Sequence, residues 1–164
     1  MIVISDTTPL ISLMKIGRLE LLHKLFGEIQ IPEAVFNELV SNPRFPDESR
    51  EIKSCPFIKV VVIDNSGLVK LLRRSTGLDL GESEAILLAD SFDGSLLLMD
   101  EAKGRQVAAQ MEISVMGTIG ILLAGYKEGF LLREEIKDCV EILKKAGRHI
   151  SDRLYRQLME KISD

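Results

Sequence analysis

The sequence predicts an α/β fold built on a mainly parallel sheet with helices on both faces. Short apolar, β-branched runs alternate with longer amphipathic segments along the chain, and the turns between them are short. No internal repeat or low-complexity linker interrupts the alternation. Sheets of this kind place their ligand sites outside the carboxyl ends of the strands.

The elements follow in order. Residues 2–5, IVIS, have the length and β-branched composition of a buried strand. Thr7, Thr8 and Pro9 then start a helix, with a hydroxyl cap and a proline in the first turn. Leu10, Leu13 and Met14 continue at helical spacing, and Gly17 ends that helix. Leu19, Leu22, Leu25 and Phe26 mark a second helix, closed by Gly27. Ile29 to Ile31 is a strand, and Pro32 opens a helix carrying Val35, Glu38 and Leu39. The polar segment Ser41 to Ser49, with two prolines, is expected to be a loop. Phe57 to Ile63 is a strand suited to a sheet edge, because Pro56 precedes it and Lys59 interrupts it.

Leu68 to Arg74 is helical with a basic end, and Gly77 to Gly81 is a turn. A helix over Glu82 to Phe92 follows. Asp93-Gly94 turns the chain into a buried strand, Ser95 to Met99, which runs straight into Asp100. Ala102 to Met111 is helical, Ile113 to Met116 is a strand, and Thr118 caps another helix. The tail from Leu132 to Asp164 carries two more helices, separated by Gly147 and capped at Ser151.

Bulk properties narrow the function. The 164 residues, 46% of them hydrophobic, fill one core without a disulfide or structural metal. The apolar runs are too short to span a bilayer, and MIVISDTTPLIS lacks the basic leader and long apolar stretch of a signal peptide. A cytoplasmic protein is expected. Cys55 and Cys139 show no CxxC spacing; two free thiols are the simpler reading, a bridge between them the other. With His23 and His149 the only histidines, a histidine-rich zinc site is not expected; a metal bound here would take oxygen ligands, which points to Mg²⁺ or Mn²⁺. The net charge of −4 argues against a protein that coats nucleic acid non-specifically, but suits one whose carboxylates hold a cation.

Asp6 and Asp100 each stand where an apolar strand stops. A solvated strand end accounts for either alone. It accounts for the pair less well, because one end of a parallel sheet would bring them together, and like charges held close need a counter-cation. Glu38 is either an exposed helix residue or a third member. Glu82 and Glu84 open the helix LGESEAILLAD, where the helix dipole favours acids in any case. Two positions apart, they point in different directions. Glu101, beside Asp100, carries the same ambiguity. Carboxylates holding one or two divalent cations suit hydrolysis of a phosphodiester. Phosphate-loop, dinucleotide-binding and nucleophile-elbow motifs are absent from the sequence.

The ordered set IVISDTTPLISL, IPEAVFNELV, LGESEAILLAD and LLLMDEAKGRQVA resembles PIN-domain proteins over roughly residues 1–125, within them the small prokaryotic VapC-like subgroup. The tail AGRHISDRLYRQLME resembles the C-terminal helix of that subgroup. The resemblance implies a Rossmann-like three-layer α/β/α fold over residues 1–164, with 130–164 a C-terminal helical extension. It implies a Mg²⁺- or Mn²⁺-dependent endoribonuclease, with the toxin half of a toxin–antitoxin pair as its biological role. Asp6, Glu38, Glu84 and Asp100 then match the catalytic, metal-binding acids, with Glu82 the rival for the third position. Thr7 matches a hydroxyl residue that orients the first acid. Implied partners are RNA, a small antitoxin protein and a second copy of the chain. Glutamate in place of the usual aspartate at the third position departs from the pattern and keeps an alternative open: a catalytically weak or inactive PIN-like module that binds protein or RNA.

Lys103 and Arg105, which follow Asp100, are candidates for contact with a substrate phosphate. Lys70, Arg73 and Arg74, and Lys144, Lys145, Arg148 and His149, suit solvated helix faces. Aromatic content of 5% leaves few platforms for stacking bases.

Overall fold

The computed structural model describes residues 1–163; Asp164, the last residue of the expected tail, lies outside the described residues. Strand β1 (Val3–Ser5) leads into α1 (Thr7–Lys15) and α2 (Glu20–Phe26), then β2 (Ile29–Pro32). Helices α3 (Glu33–Ser41) and α4 (Pro46–Ser54) precede β3 (Ile58–Val61), and α5 (Ser66–Thr76) and α6 (Leu80–Asp90) precede β4 (Leu96–Leu98). The chain closes with α7 (Ala102–Gln110), β5 (Ser114–Met116), α8 (Thr118–Lys127), α9 (Arg133–Lys145) and α10 (Asp152–Lys161).

Several local signals act as expected. Gly17 and Gly27 take positive φ at the ends of the first two helices. The Ser151 hydroxyl accepts from the Leu154 amide and caps α10. Others act differently. The segment expected to be a loop contains the start of α4, because Pro46 occupies the first helical turn with Asp47 and Glu48 behind it. The helix expected over Glu82 to Phe92 begins at Leu80, since Asp79 and Glu82 form a reciprocal capping box that fixes its start. Neither Thr7 nor Thr118 caps its own helix: the capping positions are Asp6 and Gly117, and both hydroxyls donate to carboxylates elsewhere.

The five strands are parallel throughout, in the order β3-β2-β1-β4-β5. β3 is an edge strand, as Pro56 and Lys59 suggested. Chain order runs outward in both directions from the β1–β4 pair, where Val3, Ile4 and Ser5 register with Leu96, Leu97 and Leu98. That pair is the topological switch point, where connections leave on opposite faces and a crevice opens at the carboxyl ends.

Residues alternate between the faces at strand period. Val3, Leu96 and Leu98 pack on one side with α1, α2, α8, α9 and α10 residues such as Leu10, Leu22, Ile121, Val140 and Leu158. Ile4, Leu97 and Met99 pack on the other with Ala85, Ile86 and Ala89 of α6 and Ala108 of α7. Helices on both faces explain why β1 and β4 are buried along their whole length. The fold is therefore three-layer α/β/α. Cys55 and Cys139 are both free thiols. Among the described residues, no helix is long and apolar enough to cross a membrane.

Candidate active site

The switch point positions the first acid. Asp6 follows β1, and its amide donates to the Leu98 carbonyl at 2.9 Å, which ties the strand end to β4. Only 4% of the residue is exposed. Its carboxyl is pushed up to about 7, chiefly by burial. The Thr7 amide pulls the other way, while the carboxylates of Glu82, Asp79 and Glu38 raise it further. These three acids come from α3 and from the start of α6, so the fold gathers distant charges around one buried carboxyl.

Glu38 projects from α3, and one of its carboxylate oxygens accepts from Thr7 Oγ1 at 2.8 Å. The expected orienting role of Thr7 is thus divided: its hydroxyl holds Glu38, and its amide serves Asp6. Gly81 makes room for this approach; a Cβ there would lie 3.2 Å from Glu38 Oε2 and 3.6 Å from Asp79 Oδ1.

The two glutamates of α6 separate as their spacing demands. Glu82 lies on the side of the acids. Its carboxyl is pushed up to about 7, mainly by burial, with the Asp79 and Glu101 charges adding to the shift and the Asp79 amide opposing it. Glu84 instead accepts from the Ala34 amide at 3.2 Å and so satisfies the first turn of α3. It is not among the charges acting on Asp6. Glu38 and Glu82 are near enough for their charges to raise Asp6, while both α6 glutamates are engaged at helix N-termini, Glu82 with the Asp79 amide and Glu84 with the Ala34 amide.

Asp100 stands beyond the end of β4, held from α8: Oδ1 accepts from the Thr118 amide at 2.7 Å and Oδ2 from Thr118 Oγ1 at 2.6 Å. Gly117 is tight against this pairing, since a Cβ would lie 2.8 Å from Asp100 Oδ1 and 2.9 Å from Arg105 Nη1. Arg105 donates to the Met99 carbonyl at 3.1 Å. Glu101 caps α7 by accepting from the Lys103 and Gly104 amides. Lys103 places its Nζ 2.8 Å from where a Gly77 Cβ would be.

Asp100 also borders two concavities. One, of about 410 Å³, lies against Arg105, Met116, Leu123, Leu154 and Lys161. The other, of about 260 Å³, lies against Thr8, Ser12, Arg148 and His149. The tail, expected only as an extension, therefore walls the Asp100 side of the crevice.

Sequence reasoning missed Asp79 as a neighbour of Asp6. The signal that marks it is the D-x-x-E capping pattern in DLGE, which lay within the expected turn. Nothing in the sequence pairs Thr118 with Asp100, since that contact joins two strands' ends across the sheet.

Oxygen-only donors, two of them raised chiefly by burial and further by neighbouring carboxylates, suit a hard divalent cation in chemical type. Among the described residues no three His, Cys, Asp or Glu side chains converge closely enough to hold an ion as they stand. Asp100 is bonded to Thr118, and Glu82 and Glu101 to helix N-termini, so coordination requires these side chains to turn inward.

Comparison with known proteins gives one finding. A family model described as PIN domain matches residues 2–164. No curated protein and no solved structure matches.

Proposed function

The chain belongs to the PIN-domain family, whose domains are generally nucleases, and from that premise we propose that it is a divalent-metal-dependent ribonuclease hydrolysing RNA phosphodiester bonds. The observation that carries the reading is the buried Asp6 carboxyl at the switch point, pushed up to about 7 with Glu82, Asp79 and Glu38 around it. Asp6, Glu38 and Asp100 are the acids that would hold one or two Mg²⁺ or Mn²⁺ ions, with Glu82 in preference to Glu84 as the third. Bound there, such a cation supplies an activated water and offsets charge developing on the phosphate.

The chain's own groups set the geometry. Thr7 Oγ1 fixes Glu38, and Thr118 holds both oxygens of Asp100 until substrate or cation competes for them. Arg105, bonded to the Met99 carbonyl beside Asp100, and Lys103 are the nearby cations suited to substrate phosphate. Residues 1–164 act as one domain, with 130–164 an extension of it; Ile136, Val140, Leu143 and Leu158 share a core with α1, which supports this.

The VapC-like resemblance supports a toxin role in the cytoplasm, opposed by a small antitoxin and exerted as a homodimer. Val60 and Val62 at the β3 edge, with Leu68 and Leu71 on α5, are large apolar side chains left exposed, as a protein partner requires. A second reading is a catalytically weak or inactive PIN-like binding module. It is favoured by the engagement of both Asp100 oxygens with Thr118 and of Glu84 with Ala34.

Incubation of wild type and Asp6→Asn with a diverse RNA pool, alongside Mg²⁺ and Mn²⁺ titration by calorimetry, separates the two. The nuclease reading expects cation binding and cleavage in wild type, and a loss of roughly 100-fold or more in the variant. Wild type that binds neither cation overturns it, and RNA binding without cleavage favours the second reading.

A further inference from the structure

Beyond Lys103 and Arg105, the acidic crevice has a basic border on α5 that the site described so far does not use. Lys70, Arg73 and Arg74 of α5, with Gly77 and Leu78, line an open concavity of about 460 Å³. Lys103 joins them from α7, its Nζ lying over Gly77. Gly77 permits this in two ways. It adopts the left-handed conformation that ends α5, and it has no side chain to occupy the position of the amine.

These cations are exposed, and among the described residues none of them forms an ion pair. Lys15, Arg18, Arg50 and Lys137 all do. Unpaired cations are common on this surface; what distinguishes these four is that two helices bring them to one concavity. The dipole of α5 accounts for Arg73 and Arg74 in its last turn. It does not account for Lys103, which arrives from another helix, or for Lys70, a turn earlier.

The border adjoins the acids along the chain. Gly77 precedes Asp79 by two residues, and Lys103 follows Glu101 by two. Asp79 acts on Asp6, and Glu101 acts on Glu82. A polyanion approaching the carboxylates is repelled by them, and cations flanking the acids on the α5 side oppose that repulsion.

We propose that Lys70, Arg73, Arg74 and Lys103 form a docking rim for the phosphodiester backbone of a single-stranded nucleic acid, holding the strand where it enters the acidic crevice. The proposal rests on the nuclease reading for its purpose but not for its test. The backbone is the ligand, so the rim binds without regard to base sequence. Each phosphate contact contributes about 0.7 to the slope of log affinity against log salt for a single strand.

The test measures binding of a fluorescein-labelled, mixed-sequence single-stranded RNA by anisotropy across a salt series. EDTA and the Asp6→Asn background keep cleavage out of the readout. Arg73→Ala/Arg74→Ala lowers the salt slope by about 1.4, and Lys103→Ala by about 0.7. In the cleaving protein, Arg73→Ala/Arg74→Ala raises KM by a larger factor than it lowers kcat. Circular dichroism spectra that superimpose on wild type confirm that these surface changes leave the fold intact. Unchanged affinity and slope in a variant lacking all four cations overturns the rim. So does displacement of the RNA by polyglutamate as readily as by unlabelled RNA, which assigns the surface to an acidic protein. Rim-dependent RNA binding by a wild type that cleaves nothing overturns the nuclease reading and leaves the rim standing.

Discussion

A carboxyl whose proton is held to about pH 7 ties the protein's stability to pH at a single residue. In the unfolded chain Asp6 titrates near pH 4, whereas the folded, metal-free chain keeps its proton until about pH 7. Over that window the folded state binds the extra proton, so the stability that Asp6 contributes is complete below pH 4 and is lost as pH rises through 7. Glu82 acts with the same sign. Urea unfolding of metal-free protein is expected to show stability falling between about pH 4 and 7 and levelling off above that. Asp6→Asn removes a large part of that fall, on the order of 3 kcal/mol, and Mg²⁺ restores stability to wild type alone. The two glutamates of α6 divide in the same experiment. Glu82→Gln is expected to weaken cation affinity and cleavage, roughly 10-fold or more. Glu84→Gln leaves both near wild type and costs about 1 kcal/mol of stability, because it weakens the bond to Ala34. Asp6 and Asp100 were legible in the sequence because each interrupts an apolar run at a strand end. The choice between Glu82 and Glu84 was not, since both suit a first helical turn and only the tertiary position of α3 decides which one turns away.

At the scale of the element, the helix starts carry the site. α6 begins where the Asp79 capping box puts it, two residues before the expected start, and that register leaves Glu82 close enough for its charge to act on Asp6 while its carboxylate is bonded to the Asp79 amide. α8, with Gly117 at its N-cap, begins at Thr118 and delivers both donors of that residue to Asp100. Gly117→Ala is the element-level prediction. The added methyl would meet Asp100 Oδ1 and Arg105 Nη1 at under 3 Å, pushing Asp100 off Thr118. Its expected result is a loss of roughly 10- to 100-fold in cation affinity or cleavage, with thermal unfolding showing a folded protein. Element types were legible from period and turn chemistry, and the edge position of β3 from Pro56 and Lys59. The ends were less so. Pro46 was taken as a loop residue although it opens α4, because proline signals both.

For the whole molecule, chain order is what makes a site from separated residues. The reversal between β1 and β4 places two strand ends side by side, and the helices that leave them occupy opposite faces. Alternating strands and helices foretold a parallel sheet and the end at which ligands bind. They did not foretell that α10 would border Asp100, because amphipathic periodicity shows which face of a helix is buried but not what covers it. Leu158, 2% exposed in α10, belongs to both the core and the larger concavity beside Asp100. Leu158→Ala is expected to cost about 2–5 kcal/mol in denaturant unfolding and to reduce activity through the loosened wall rather than through chemistry.

The position of that wall has a consequence for biosynthesis. Ile162 is fully buried in the same cluster as Val3, near the opposite end of the sequence. A ribosome making this protein exposes Asp6, Glu38, Glu82 and Asp100 before it has polymerised the residues that complete the core around them. The nascent chain thus carries every acid while lacking the packing around them, and on the proposed nuclease reading it is expected to stay inactive until residue 162 has left the exit tunnel. Arrested chains ending at residue 145 should be protease-sensitive and inert toward RNA, and full-length released chains should be neither.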